Sequence, residues 1–451
     1  MNAIVKALKH QEKNALKKIK NGSLHTVESL ISQPELLEVL QKELPNYRNR
    51  LYTPIQTLCM FIAQALNSDS SCQNIVNSVA LNTNHSVATG GYCKARKRLS
   101  QRMVSELTKA VAVRNEAQVK TRWLWQNRTV YLVDGTTLTM PDTSANQESY
   151  PQTSALPQGL GFPICRIVGI MSLSTGSLID ACVGSYHGKG ASEQTLLRSM
   201  LKLFKHGDVV LADAFYSTYF LLEHMIIHGV DILFVQHGAR SRTTDFTSGV
   251  VLGENDHLIT LKKPKLKPEW IEQEEYDNAS NELTIRELKT GGKTLITTML
   301  CPKKHPLKAL GTLYKQRWQI EVDFRNIKST LGLRNLSCKT PEMAIKELWV
   351  YFLAYNLIRS IMAASAYQCT LLPREISFKH TLQLIEAFSG NSNIHLNQFL
   401  RRISEKQIGN RTGRIEPRAI KKRRNEYPLL MKQRGIAREE IKQNGHPKKL
   451  K

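Results

Sequence analysis

Hydrophobic positions in the first 126 residues recur at helical spacings, as at Leu37, Leu40, Ile55, Leu58, Phe61 and Ile62, with few Gly or Pro between them. The texture changes at Thr129. Val130-Tyr-Leu-Val133 predicts a strand that ends at Asp134-Gly135. Beyond a loop with four prolines, the spans 166–173 and 178–184 predict a hairpin turning at Thr175-Gly176. A helix over 191–204, a strand Val209-Val-Leu-Ala212 ending at Asp213, a helix from residue 217 and a strand over 232–235 follow. The order β-β-β-α-β-α-β suits an α/β domain with a mixed sheet. The spans 257–261, 283–288 and 293–300 alternate as strands do, with turn signals at Asp277-Asn278 and Gly291-Gly292, and predict a β-rich insertion. Helix returns over 307–328, 341–367 and 377–388.

Composition narrows the class. Of 451 residues, 41% are hydrophobic and 22% charged, too apolar for general disorder. No apolar run reaches the roughly 18–20 residues of a membrane span, and the longest, 348–358, reads as a buried helix. Eight cysteines without a CxxC pair indicate neither a disulfide framework nor a zinc ribbon, which points to a reduced, cytoplasmic protein. The formal charge is +25, and residues 401–451 alone carry net +12. That concentration calls for a polyanion, and a phosphate backbone is the natural one. A second basic stretch, Tyr92-Cys-Lys-Ala-Arg-Lys-Arg-Leu99, follows a shorter helix over 74–81; it reads either as a helix-turn-helix-like DNA reader using Arg96 and Arg98 or as a solvated basic helix.

Three carboxylates stand out by position. Asp134 and Asp213 each follow an apolar strand, and ligands in open α/β sheets gather at the carboxyl ends of strands. Neighbouring parallel strands would set the two side by side, where they repel unless a divalent cation neutralises them. Alone, either could be a turn residue or a helix cap. On the helix over 307–328, Tyr314, Arg317, Glu321 and Lys328 share one face within about 60° at 100° per residue, while Asp323 points away. Such a face could bind a metal and phosphate oxygens, or be a salt-bridged amphipathic helix.

The spacing Tyr314-x2-Arg317-x3-Glu321-x6-Lys328 resembles, without gap or substitution, the YREK signature of bacterial DDE insertion-sequence transposases of family four. Val133-Asp134-Gly-Thr-Thr and Leu211-Ala-Asp213-Ala-Phe-Tyr are similar to that family's two aspartate strands. Tyr355-Asn-Leu-Ile-Arg359, Glu416-Pro-Arg418 and Lys421-Lys-Arg-Arg424 match as well. The resemblance implies an RNase H-like catalytic domain in parts at 127–235 and 308–370 around a β-rich insertion at 236–307. A helical DNA-binding domain at 1–126 would precede it, and a helical then basic region at 371–451 would follow. It further implies two Mg2+ ions, replaceable by Mn2+, held by Asp134, Asp213 and Glu321, with Tyr314, Arg317 and Lys328 on phosphates. The implied partners are double-stranded DNA with terminal inverted repeats and target DNA, engaged by a homodimer at the nucleoid. Relatives excise through a hairpin, some stacking a flipped base on an aromatic of the insertion; Trp270 is the nearest indole available here.

Two other readings stay in view: a nuclease or resolvase on the same fold, and a DNA-binding protein without catalysis. His224 and His228 have a zinc-compatible spacing but no third ligand. Glu193 opens a helix and reads as a partner of the helix dipole, the alternative being a place near the metals.

Overall fold

In the computed structural model, residues 34–44, 51–80, 86–188, 191–388, 396–409 and 433–444 are described. The motif over 416–424 and most of the basic tail lie outside them. Among the described residues the strands form one nine-stranded mixed sheet in the order β3-β2-β1-β4-β5-β9-β8-β7-β6. Its centre is β1 (Val130–Thr139), β4 (Val209–Ala212) and β5 (Asp231–Val235), which run parallel. These are the segments whose sequences are apolar at successive positions, as burial on both faces requires. The hairpin β2 (Ile164–Ser172) and β3 (Leu178–Ser185) adds antiparallel to β1. Its turn needs Gly176, at φ +76°, where a Cβ would also lie 2.7 Å from the Arg359 guanidinium carbon.

The span 236–307 supplies β6 (Val250–Gly253), β7 (Asp256–Lys262), β8 (Glu282–Thr290) and β9 (Lys293–Thr297). β9 pairs antiparallel with β5, through Leu233↔Thr297 to Val235↔Leu295, so these strands prolong the central sheet.

Helices cover both faces, and strand alternation decides which residue meets which. Leu132 and Leu211 enter one core with α5 (Gln101–Ala117), α9 (Gln319–Arg325) and α10 (Pro341–Gln368). Val133, Val210 and Ala212 enter the other, with α6 (Glu193–Arg198) and α7 (Tyr219–Ile227). By length and composition α10 could cross a membrane, but 89% of its apolar window is buried and it is the core helix of the first face. Its Tyr355 hydroxyl donates to Gly176 O at 2.7 Å, and Asn356 receives the Leu178 N–H at 2.8 Å and donates to Leu178 O at 2.8 Å. The Tyr355–Arg359 motif is thus the clasp that holds the hairpin.

In the N-terminal part, α1 (Pro34–Glu43), α2 (Pro54–Leu66), α3 (Cys72–Ala80) and α4 (Gly90–Arg98) precede α5. On α4, Lys94, Lys97 and Arg98 are exposed. Arg96 is not: it is 5% exposed, its guanidinium 3.8 Å from the Phe61 ring centre and hydrogen-bonded to Cys72 Sγ at 2.8 Å. The expected DNA contact by Arg96 is corrected accordingly, because one face of a basic helix must pack and Arg96 is on it. At the C-terminal side α11 (Phe378–Phe388) and α12 (Leu396–Ser404) close over α10, with Phe399, Leu400 and Ile403 buried.

Asp323 on α9 is fully buried between Arg359 and Arg374, the latter at 2.9 Å. Removing the carboxylate would strand two buried guanidiniums. Asp323→Ala should therefore lose about 3–5 kcal/mol of stability in urea unfolding, with Asp323→Asn losing less.

Candidate active site

The site forms where β4 stops and β1 does not. The last registered parallel pair is Leu132↔Leu211, and two residues further on each strand stand Asp134 and Asp213. By alternation both face the side of Leu132 and Leu211, where α9 packs. Asp213 does end its strand: it caps the 3-10 turn Ala214–Tyr216, accepting from Phe215 N–H at 2.9 Å. Asp134 does not, which corrects the expectation from its apolar run. β1 continues to Thr139 because β2 goes on supplying ladder partners, Gly169 opposite Asp134. Gly169 also admits the helix. A Cβ there would sit 3.1 Å from Phe324 Cζ, so α9 is held against the sheet at Asp134's own level.

The helical segment carrying the signature changes pitch twice. α8 (Leu307–Lys315) passes through a 3-10 turn, Gln316–Trp318, into α9 and then a π turn, Asn326–Thr330. The uniform 100° step does not hold, yet the four residues converge on the β1–β4 edge. Tyr314 donates to Ala212 O at 3.2 Å. Arg317 bridges two of the carboxylates, donating to Asp134 Oδ2 at 3.3 Å and Glu321 Oε1 at 2.7 Å. Lys328 Nζ donates to Thr136 Oγ1 at 2.5 Å and Thr137 O at 2.7 Å.

Asp134 is 18% exposed, and burial pushes its carboxyl up to about 6; Arg317 and the Gly135 N–H oppose that, while the charges of Asp213 and Glu193 add to it. Burial likewise raises the Tyr314 phenol to about 12 and lowers the Lys328 ammonium. Among the described residues no three His, Cys, Asp or Glu side chains are grouped closely enough to hold a metal ion as they stand. The donor set nevertheless fits one, since carboxylate oxygens suit a hard divalent cation.

Arg98 stays on the exposed face of α4, away from Arg96. Trp270 is 41% exposed, with Arg198 Cζ of α6 3.4 Å from its ring centre and Phe220 of α7 edge-on at 5.9 Å. Thr136, which receives Lys328, was missed from the sequence, and Glu193, read there first as a partner of the helix dipole, has its carboxyl against Gly135. The signal for the second was a glycine inside a strand, which marks a close approach.

Residues 125–357, about half of the chain, match the family described as Transposase DDE domain. The chain belongs to the DDE transposase family. Over 408 residues this transposase is 26% identical to the transposase InsG for insertion sequence element IS4 of Escherichia coli (strain K12), covering 85% of this chain and 88% of that protein. A shorter match, 35% identity over 78 residues, relates it to the transposase for insertion sequence element IS421 of Escherichia coli, covering 17% of this chain and 21% of that one. The family consists of enzymes that act on DNA with a divalent metal, and the nine-stranded mixed sheet is consistent with its RNase H-like domain.

The Asp134 environment makes a stability prediction for the metal-free transposase. A folded-state value raised from 3.8 to about 6 means that ionisation costs stability, a cost absent below pH 4 and complete above pH 6. Asp134→Asn should stabilise the metal-free protein by about 1–3 kcal/mol in urea at pH 7.5 and by almost nothing at pH 4. Equal effects at both values would show that Asp134 is not electrostatically strained.

Proposed function

We propose that this transposase pairs two transposon ends bearing terminal inverted repeats as a homodimer, cleaves them and joins them to target DNA. Asp134, Asp213 and Glu321 are its catalytic carboxylates. The observation that carries this reading is the placement of Asp134 and Asp213 two residues past the last β1–β4 pair, with Glu321 tied to Asp134 through Arg317. Those three residues would hold two Mg2+ ions, or Mn2+ in their place. Bound there, the cations supply a more acidic water or 3′-hydroxyl and charge relief for the leaving oxygen.

The chain's own residues account for the remainder. In hydrolysis a water oxygen bonds to phosphorus as the P–O3′ bond breaks, leaving a 3′-hydroxyl. In joining, that hydroxyl attacks a target phosphate and the target's own 3′-oxygen departs. Arg317, which neutralises Asp134 and Glu321 here, can turn its fork to non-bridging phosphate oxygens once the carboxylates are otherwise satisfied. Lys328 spends two donors on β1 and keeps a third for phosphate. Tyr314 is anchored at the end of β4, beside Arg317. The exposed Lys94, Lys97 and Arg98 on α4 supply a backbone-binding face, and no stacking role is assigned to Trp270.

Alanine at Asp134, Asp213 or Glu321 should abolish Mg2+-dependent nicking of DNA carrying the element's ends while leaving DNA affinity largely intact. Normal nicking by any one of the three variants removes that residue from the site.

Ending the chain after residue 409 keeps α12, whose buried side chains pack on α10, and removes net +10 of charge. DNA affinity of that protein should fall less steeply with salt, measured as the slope of log affinity against log salt concentration. An unchanged slope would mean that the tail does not touch phosphate.

A further inference from the structure

Gly135 follows Asp134 on β1, and its missing side chain is replaced by another residue's carboxyl. A Cβ built there would meet Glu193 Cδ at 2.1 Å and both carboxylate oxygens within 2.4 Å. Strand alternation turns this position to the opposite face from Asp134, toward α6, so Glu193 reaches the same sheet edge from the other side. Two groups aim it. The buried Tyr216, three residues after Asp213, donates its hydroxyl to Glu193 Oε2 at 3.2 Å. Arg166 Nε stands 3.9 Å from Oε1, too far for a hydrogen bond, and is itself buried without a partner. That guanidinium is committed elsewhere, donating Nη1 to Ala191 O at 2.6 Å. As a salt-bridged helix opener Glu193 is therefore poorly served: the six-residue α6 already has Ser192 as its cap, and the carboxylate leans on β1. Glu193 also lies near enough to Asp134 and Asp213 for their charges to be felt.

We propose that Glu193, cradled by Gly135 and held by Tyr216, is a fourth carboxylate of the catalytic centre and lends an oxygen to a divalent cation shared with Asp134 and Asp213. This rests on the assignment of those two aspartates under the proposed function.

The test is Mn2+ binding to the full-length protein without DNA, followed by calorimetry. Glu193→Gln should weaken Mn2+ binding about tenfold or more, with Asp134→Asn as the reference. Gly135→Ala, which leaves every carboxylate chemically intact but displaces Glu193, should weaken binding to a similar degree, and adding it to Glu193→Gln should cost nothing further. An unchanged isotherm for Glu193→Gln, beside loss in Asp134→Asn, would overturn the fourth carboxylate and leave the catalytic assignment standing. Unchanged isotherms in both would overturn the two together.

Discussion

Asp323 sits fully buried between Arg359 and Arg374, and the orientation of the site helix follows from that ion pair. An inward Asp323 forces Glu321, two residues earlier and about 200° around the axis, to face outward over the β1–β4 edge. The two arginines carry the constraint onward. Arg374 also donates to Ser172 O and Leu173 O at the hairpin turn, each at 2.6 Å, and Arg359 receives support from the Tyr355 hydroxyl that grips Gly176. One buried carboxylate thus fixes α9, α10 and the β2–β3 hairpin relative to each other. Because β2 pairs with β1 beside Asp134, the site inherits its geometry from this knot. A buried ion pair contributes little net stability against an apolar substitute. What it provides here is a single register of helix on sheet.

Much of this was legible in the sequence because it depended on period and run length. Four-residue apolar runs marked β1 and β4, and the 3-4-7 spacing of the signature marked a shared face, with Asp323 correctly turned away. The parallel order of the strands then made the aspartates neighbours. Other features depended on pairing partners no local pattern reveals. Asp134 lies within its strand because β2 outlasts β4. The signature helix tightens at Gln316–Trp318 and loosens at Asn326–Thr330, which a fixed pitch cannot foresee. Arg96 looked like its basic neighbours, and only the position of Phe61 and Cys72 on other helices shows that it is buried. Glu193 meets Gly135 across 58 residues of sequence; a glycine inside a strand marks a close approach but not the residue that makes it.

The electrostatic plan has two scales of opposite sign. The chain as a whole carries +25, which draws a polyanion from a distance and weakens with salt. The edge of β1 and β4 is locally acidic, so a phosphate guided to it meets repulsion at the last few Å. Burial sharpens the conflict, since Asp134's carboxyl already resists ionisation with only Arg317 beside it. Arg317 partly resolves it by holding Asp134 and Glu321 together, but the same guanidinium is the best-placed group for a phosphate oxygen. It cannot fully serve both. Under the proposed function, cations that satisfy the carboxylates release Arg317 toward the substrate, so cation and DNA should bind with positive coupling. By linkage, DNA must then tighten cation binding by the same factor that the cation tightens DNA binding.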